Sequence, residues 1–219
     1  MTINKDFIIA LAWPEGMCKT AGSWYDFIFG KKREIRGGHA AIVLVNSITK
    51  KLYYMDNGRY HTPLGFARIR DEETDWDVKI NIQAEINSDK IINIDQILLE
   101  ISNNSSTHGD GTLYASVLNN ISFDNAYSYA KKHQGKGAIP YGPFIINGFN
   151  CSRFVASTII HSSPPFIKKI RLMFPCTLIP TPKRNISICN KNYYVVDKES
   201  CQRIKRNLFN GYLKGIERR

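Results

Sequence analysis

Pro140-Tyr141-Gly142-Pro143-Phe144, then Gly148-Phe149-Asn150-Cys151-Ser152-Arg153-Phe154-Val155 and an apolar run to Ile160, decide how the rest of this 219-residue chain is read. A loop rich in Gly and Pro delivers one cysteine to the first turn of a helix. Cys151, Phe154, Val155, Thr158 and Ile159 follow the one-face spacing of an amphipathic helix. The first N–H groups of a helix have no internal partner and carry partial positive charge, so they favour a thiolate. They can also receive an oxyanion during acyl transfer. Cys151 is therefore the candidate nucleophile.

The other four cysteines are Cys18, Cys176, Cys189 and Cys201. None forms a Cys-x-x-Cys pair and the total is odd, which argues against a disulfide framework or a zinc motif. No metal and no cofactor are expected.

A thiol nucleophile needs a base, and the base needs an orienting partner. The chain has five histidines. His161 lies on the helix of Cys151, roughly 15 Å along it by helical rise, and cannot serve. His133 falls at a helix end and His108 in a polar loop. His39 starts an apolar strand directly after Gly37-Gly38. The run His39–Val45, the polar turn Asn46–Lys50 and the return Lys51–Asp56 read as a hairpin. If Asn46 pairs with Lys51, Ala41 lies opposite Asp56. His39 and Asp56 then share a face as diagonal neighbours.

At these residues the sequence resembles the NlpC-like cysteine peptidases. Tyr141-Gly142 and Gly148 to Val155 are similar to that family's nucleophile motif, with Asn150 where the family has Asp and Arg153 where it has Gly. Gly38-His39-Ala40-Ala41-Ile42-Val43 resembles its Gly-His strand, but precedes the cysteine instead of following it. That order is similar to the circularly permuted papain-like branch, with the YiiX-like proteins and the lecithin:retinol acyltransferase relatives.

The resemblance implies an α+β fold in which an antiparallel sheet packs against the helix of Cys151. It implies Cys151 as nucleophile, His39 as general base and Asp56 as third residue, with His61 as runner-up. Tyr141 and Asn150 fall beside the presumed oxyanion site. Arg59 and Arg153 flank it, and Trp13 could wall the cleft. The activity implied is a thiol hydrolase of amide or peptide bonds. Rival readings are a thiol acyltransferase or lipid acylhydrolase, and a non-catalytic binding module.

The rest of the chain reads as one domain with a basic extension from about 183. Strands are expected at Phe7–Trp13, Val78–Ile86, Thr112–Leu118 and Asn192–Val196. Helices are expected over Ile94–Ile101, with a capping box from Asn93 to Gln96, over Phe123–His133, and over Glu199–Lys214. Ser23–Phe29 is an aromatic helical turn or groove wall, and Lys31–Arg36 a basic loop. Arg68–Glu73 is a charged segment, and Phe166–Phe174 is basic and apolar.

The formal charge is +11. This suits an anionic partner, and the basic-apolar segment would suit an anionic membrane surface. No nucleic-acid motif accompanies the charge. The substrate would be a small-molecule, peptide or lipid-linked acyl compound. No apolar run approaches the ~20 residues of a membrane span, and Phe7–Trp13 is marginal for a signal segment. A cytoplasmic location is expected, unless an export route without a signal peptide handles the chain.

Overall fold

The computed structural model describes residues 6–19, 34–36, 38–142, 144, 145, 147–175, 177 and 180–207. Ser23–Phe29, Lys31–Arg33, Cys176 and the chain beyond 207 lie outside the described residues.

An eight-stranded antiparallel sheet is the centre of a mixed α+β fold. Its strands are β1 (Asp6–Trp13), β4 (His39–Val45), β5 (Leu52–Gly58), β6 (Phe66–Arg70), β9 (Leu113–Ile121), β10 (Ile139–Pro140), β11 (Tyr193–Val196) and β12 (Cys201–Ile204). They lie in the order β10-β6-β5-β4-β1-β9-β11-β12. Two small ribbons pair β2 (Met17–Lys19) with β3 (Glu34–Arg36), and β7 (Ile86–Asn87) with β8 (Lys90–Ile91).

The central strand β1 reads as a continuous apolar run because both faces of the sheet are covered. Phe7, Ile9, Leu11 and Trp13 join one buried cluster with the helix α1 (Ile94–Asn103). Ile8, Ala10 and Ala12 join the other, with α2 (Phe123–Gln134), α3 (Cys151–His161) and α5 (Pro182–Cys189). On that second face Ala12 pairs with Ala40. Two small side chains let α3 approach the sheet closely, with Phe154, Val155 and Ile159 filling the space between. The remaining helix, α4 (Phe166–Met173), follows α3 and buries Leu172 in the same cluster.

The hairpin has the expected register: Ala41 pairs with Asp56, and the Asn46 N–H donates to the Lys51 carbonyl at 3.2 Å. Ser122 caps α2 by accepting from the Asn125 N–H. Four expectations are corrected. Val78–Ile86 forms no long strand. Its alternation is real, since Val78, Ile80 and Ala84 are buried on the sheet. Its N–H groups at Asn81 and Ile82 donate instead to the Glu100 carboxylate. Asn93 precedes α1 without capping it; its side chain bridges the Gln83 carbonyl and the Glu85 N–H. Arg68–Arg70, read as part of a charged segment, lies in β6: Arg68 forms a part-buried fork to Asp75 at 2.6 Å, and Arg70 is buried against Asp56, so charge here marks pairing. Finally, residues 201–204 are a strand. Asp197 accepts from the N–H groups of Glu199 and Ser200 and tightens a hairpin turn between β11 and β12. The segment from 183 thus supplies a buried helix and two strands of the sheet.

Among the described residues no helix is long and apolar enough to cross a membrane.

Candidate functional site

The sheet end brings His39 into position through a turn. The Gly38 N–H donates to the Gly16 carbonyl at 2.9 Å, which ties the Pro14-Glu15-Gly16 turn to the start of β4. Gly38 has φ +64, and a Cβ there would sit 2.8 Å from the Trp13 carbonyl oxygen. Only glycine fits such a conformation and approach without strain. His39 then pairs with Trp13 across the strands. Opposed residues share a face, and the two rings stack with centroids 5.7 Å apart.

The same face carries Asp56. The His39 Nε2–H donates to Asp56 Oδ2 at 3.1 Å. A carboxylate only accepts, so Nε2 holds the proton and Nδ1 is left for another partner. Cys151 is the neighbour beyond His39, close enough for the thiol and the imidazole to shift each other's ionisation, with the Ala40 N–H and Ser152 also favouring the thiolate.

Asp56 is fully buried and fully engaged. Arg70, directly opposite it on β6, donates from Nε to Oδ1 at 3.0 Å and from Nη2 to Oδ2 at 2.8 Å. The hydroxyls of Tyr54 and Tyr60 each donate to Oδ2 at 3.0 Å. The Tyr60 ring lies 3.5 Å from the Arg70 guanidinium carbon, and Arg70 Nη2 also donates to the Ser106 carbonyl. Arg70, Asp56, His39 and Cys151 form a row of groups that can alternate in charge. Buried charges survive when each neighbour compensates the next.

The electrostatics follow. Burial disfavours an imidazolium at His39, yet hydrogen bonds to Asp56 and Cys151 and their charges override it and raise its pKa to about 9. Burial also pushes the Asp56 carboxyl up, but His39 and Arg70 hold it well below the usual carboxylate range. For Cys151 burial opposes ionisation; the hydrogen bond and charge of His39, the Ala40 N–H and Ser152 more than offset it, and the thiol pKa falls. Cys189 and Cys201 behave oppositely, both pushed up to about 11 by burial. Among these three thiols Cys151 alone is poised to ionise.

The helix end is built locally. Asn150 caps α3: its side-chain oxygen accepts from the Arg153 N–H at 2.7 Å. The two arms of the preceding loop are joined by backbone, with Gly142 N–H to the Phe149 carbonyl and Phe149 N–H to the Pro140 carbonyl. A Cβ on Gly148 would meet the Pro140 carbonyl oxygen at 2.4 Å, so this closure requires glycine. From the other side Asn185 of α5 donates to the Ser152 carbonyl at 2.9 Å.

The expected site residues therefore divide. Cys151, His39 and Asp56 come together, with Trp13 buried against His39. Asn150 caps the helix with its side-chain oxygen. Arg153 ties the loop to that turn, its Nη1 donating to the carbonyls of Ile145 at 2.8 Å and Gly142 at 3.5 Å. Tyr141 is half-buried and anchored by its N–H to the Gly65 carbonyl. Arg59 is half-buried just after β5. His61 is exposed, and Asp56 holds the contact to His39 for which it was the alternative. His161 bonds to the Ser157 carbonyl and stacks on Tyr129, and His133 bonds to the Tyr129 carbonyl. Arg70, Tyr54 and Tyr60 escaped the sequence reading. Tyr54 was within reach, two residues before Asp56 on the same strand face. Arg70 required recognising β6.

Among the described residues no group of three or more His, Cys, Asp or Glu could hold a metal ion.

The fold and site define a mixed α+β protein with a buried cysteine beside a hydrogen-bonded His–Asp pair at one end of its sheet. The sequence profile of the family described as "Type VI secretion system effector TseH-like" matches residues 8–165, and the chain belongs to that family. The crystal structure of the type VI secretion system effector TseH superposes with a TM-score of 0.63 at 20% identity. The match covers 92% of this chain and 99% of that one. No curated protein matches the sequence.

Proposed function

We propose that this protein is a cysteine-dependent hydrolase of amide or peptide bonds, with a permuted papain-like arrangement, delivered as an effector by a type VI secretion system. The observation that carries the reading is the buried Cys151 at the start of its helix beside the hydrogen-bonded pair His39–Asp56, an arrangement that lowers the thiol pKa and raises that of the imidazole. The effector family supports the delivery route. Injection by a dedicated machine also removes the need for a signal peptide, so a substrate outside the producing cell, cell-wall peptides included, is compatible with this sequence.

In the proposed mechanism the Cys151 thiolate attacks the carbonyl carbon. The oxyanion that forms is received by N–H groups at the start of α3, with Tyr141 as the candidate side-chain donor. The imidazolium gives its Nδ1 proton to the leaving amine as the C–N bond breaks, leaving an acyl-thioester. His39, now neutral, takes a proton from water as that water attacks the thioester. The tetrahedral intermediate collapses, the acid leaves and the thiolate–imidazolium pair is restored. Asp56 fixes the ring and stabilises its charged form.

The test is intact-mass spectrometry of the full chain after incubation with pools of cell-wall peptides, other peptides and acyl lipids. A covalent acyl adduct on Cys151, absent in Cys151→Ala and strongly reduced in His39→Gln, is expected. An adduct on another cysteine, or one indifferent to His39, overturns the reading. Acyl transfer shares the first half of this mechanism. It is kept as the second reading because α4 presents an apolar and basic face to solvent.

A further inference from the structure

The helix α4 is inverted relative to an ordinary amphipathic helix of a folded domain. Phe166, Ile167, Ile170, Met173 and Phe174, the last at its end, are between 39% and 72% exposed. At 100° per residue these five fall within an arc of about 120°. Lys169 and Arg171 lie about 40° beyond its two edges by the same geometry. Leu172, buried, and Lys168, whose ammonium donates to the Cys189 carbonyl, occupy the opposite side and attach the helix to the protein. The apolar stripe therefore faces outward and is bordered on both sides by cations.

We propose that this face of α4 is a docking surface for an anionic phospholipid membrane, with the stripe entering the interface and Lys169 and Arg171 meeting headgroup phosphates. The pattern is that of a helix lying in the plane of a membrane surface. Charge favours lipid over a second copy: each chain carries a formal +11, and two stripes brought together would oppose their own bordering cations. Size disfavours a stable protein interface. Eight residues span about 12 Å, a footprint well below the roughly 800 Å² per partner of a standard interface. Such a footprint suffices for weak, reversible membrane association that gains from charge. The inference rests on α4 alone and is independent of the chemistry proposed for Cys151.

The experiment is co-sedimentation of the full chain with vesicles of equimolar phosphatidylglycerol and phosphatidylcholine, and with vesicles of phosphatidylcholine only. The wild type is expected to bind the anionic vesicles preferentially and to lose binding as salt is raised. Ile170→Asp is expected to weaken partitioning more than tenfold, since an aliphatic side chain that enters the membrane interface is replaced by a charge. Lys169→Glu is expected to weaken it by at least the roughly fivefold worth of one cation at such a surface. All substituted positions are exposed, and unchanged circular dichroism confirms that the variants fold. Equal binding to neutral vesicles, binding unaffected by both substitutions, or no vesicle binding overturns the proposal. So does self-association, in sedimentation velocity, that Ile170→Asp abolishes. Alkylation of Cys151 in the same samples, unchanged by either substitution, keeps this result separate from the proposed catalysis.

Discussion

The two halves of the candidate site are held by different physics. On the strand side, His39 takes its place from a network that spans β4, β5 and β6: Asp56 holds the ring, and Arg70, Tyr54 and Tyr60 hold Asp56. On the helix side, Cys151 is presented by neighbours in sequence. Asn150 caps the helix, Gly148 allows the loop to close, and Arg153 ties the loop to the first turn. The strand side is a set of buried charges whose members depend on one another. The helix side is backbone and capping, in which each contact is worth little alone. Damage should therefore be cooperative on one side and graded on the other.

Asp56→Ala should do the most harm, because it leaves Arg70 and the imidazole without their buried acceptor. A loss of about 3–5 kcal/mol in urea unfolding is expected, the cost of removing one partner from a buried pair; a loss below 1 kcal/mol would break the distinction between the two sides. His39→Gln removes the base while keeping a polar side chain. Acyl-adduct formation should slow by about 10²–10⁴ in stopped time courses, with a much smaller change in stability. Arg70→Lys keeps the charge but not the two-pronged fork. It should cost about 1.5–3 kcal/mol in urea unfolding, the range of a hydrogen bond to a charged group. Asn150→Ala deletes one cap and should cost about 0.5–2 kcal/mol, with Asn150→Asp restoring most of it.

This division also explains what the sequence disclosed. The helix side was legible because its signals are local: Gly, Asn and Cys in order, followed by an apolar stripe. The hairpin was legible because a five-residue polar turn fixes its register, and register places Asp56 beside His39. The rest of the strand side was hidden. Arg68-Ile69-Arg70 looks like solvent-exposed charge until β6 is paired with β5, and only that pairing sets Arg70 opposite Asp56. The loop contacts of Arg153 were hidden for a related reason: its carbonyl partners are backbone atoms of a loop, which no residue pattern announces. Val78–Ile86 was read correctly as alternating and wrongly as a strand, since alternation reports burial of one face and not the presence of a ladder partner. At the C-terminus, the turn made by Asp197 overrode a helical spacing of basic and apolar residues.

The pH dependence of Cys151 alkylation tests the central claim most directly. With the thiol pKa lowered and His39 raised to about 9, a thiolate–imidazolium pair should form below the ordinary thiol range and persist up to about pH 9. Peptide mapping after brief iodoacetamide treatment below the ordinary thiol range should find Cys151 modified well ahead of Cys189 and Cys201, whose thiols are pushed up to about 11. A second rise in rate is expected near pH 9, as the imidazolium loses its proton and the thiolate loses its partner. In His39→Gln the low-pH reactivity should vanish. Alkylation of Cys151 that begins only in the range of an ordinary thiol, unchanged by His39→Gln, would contradict the account.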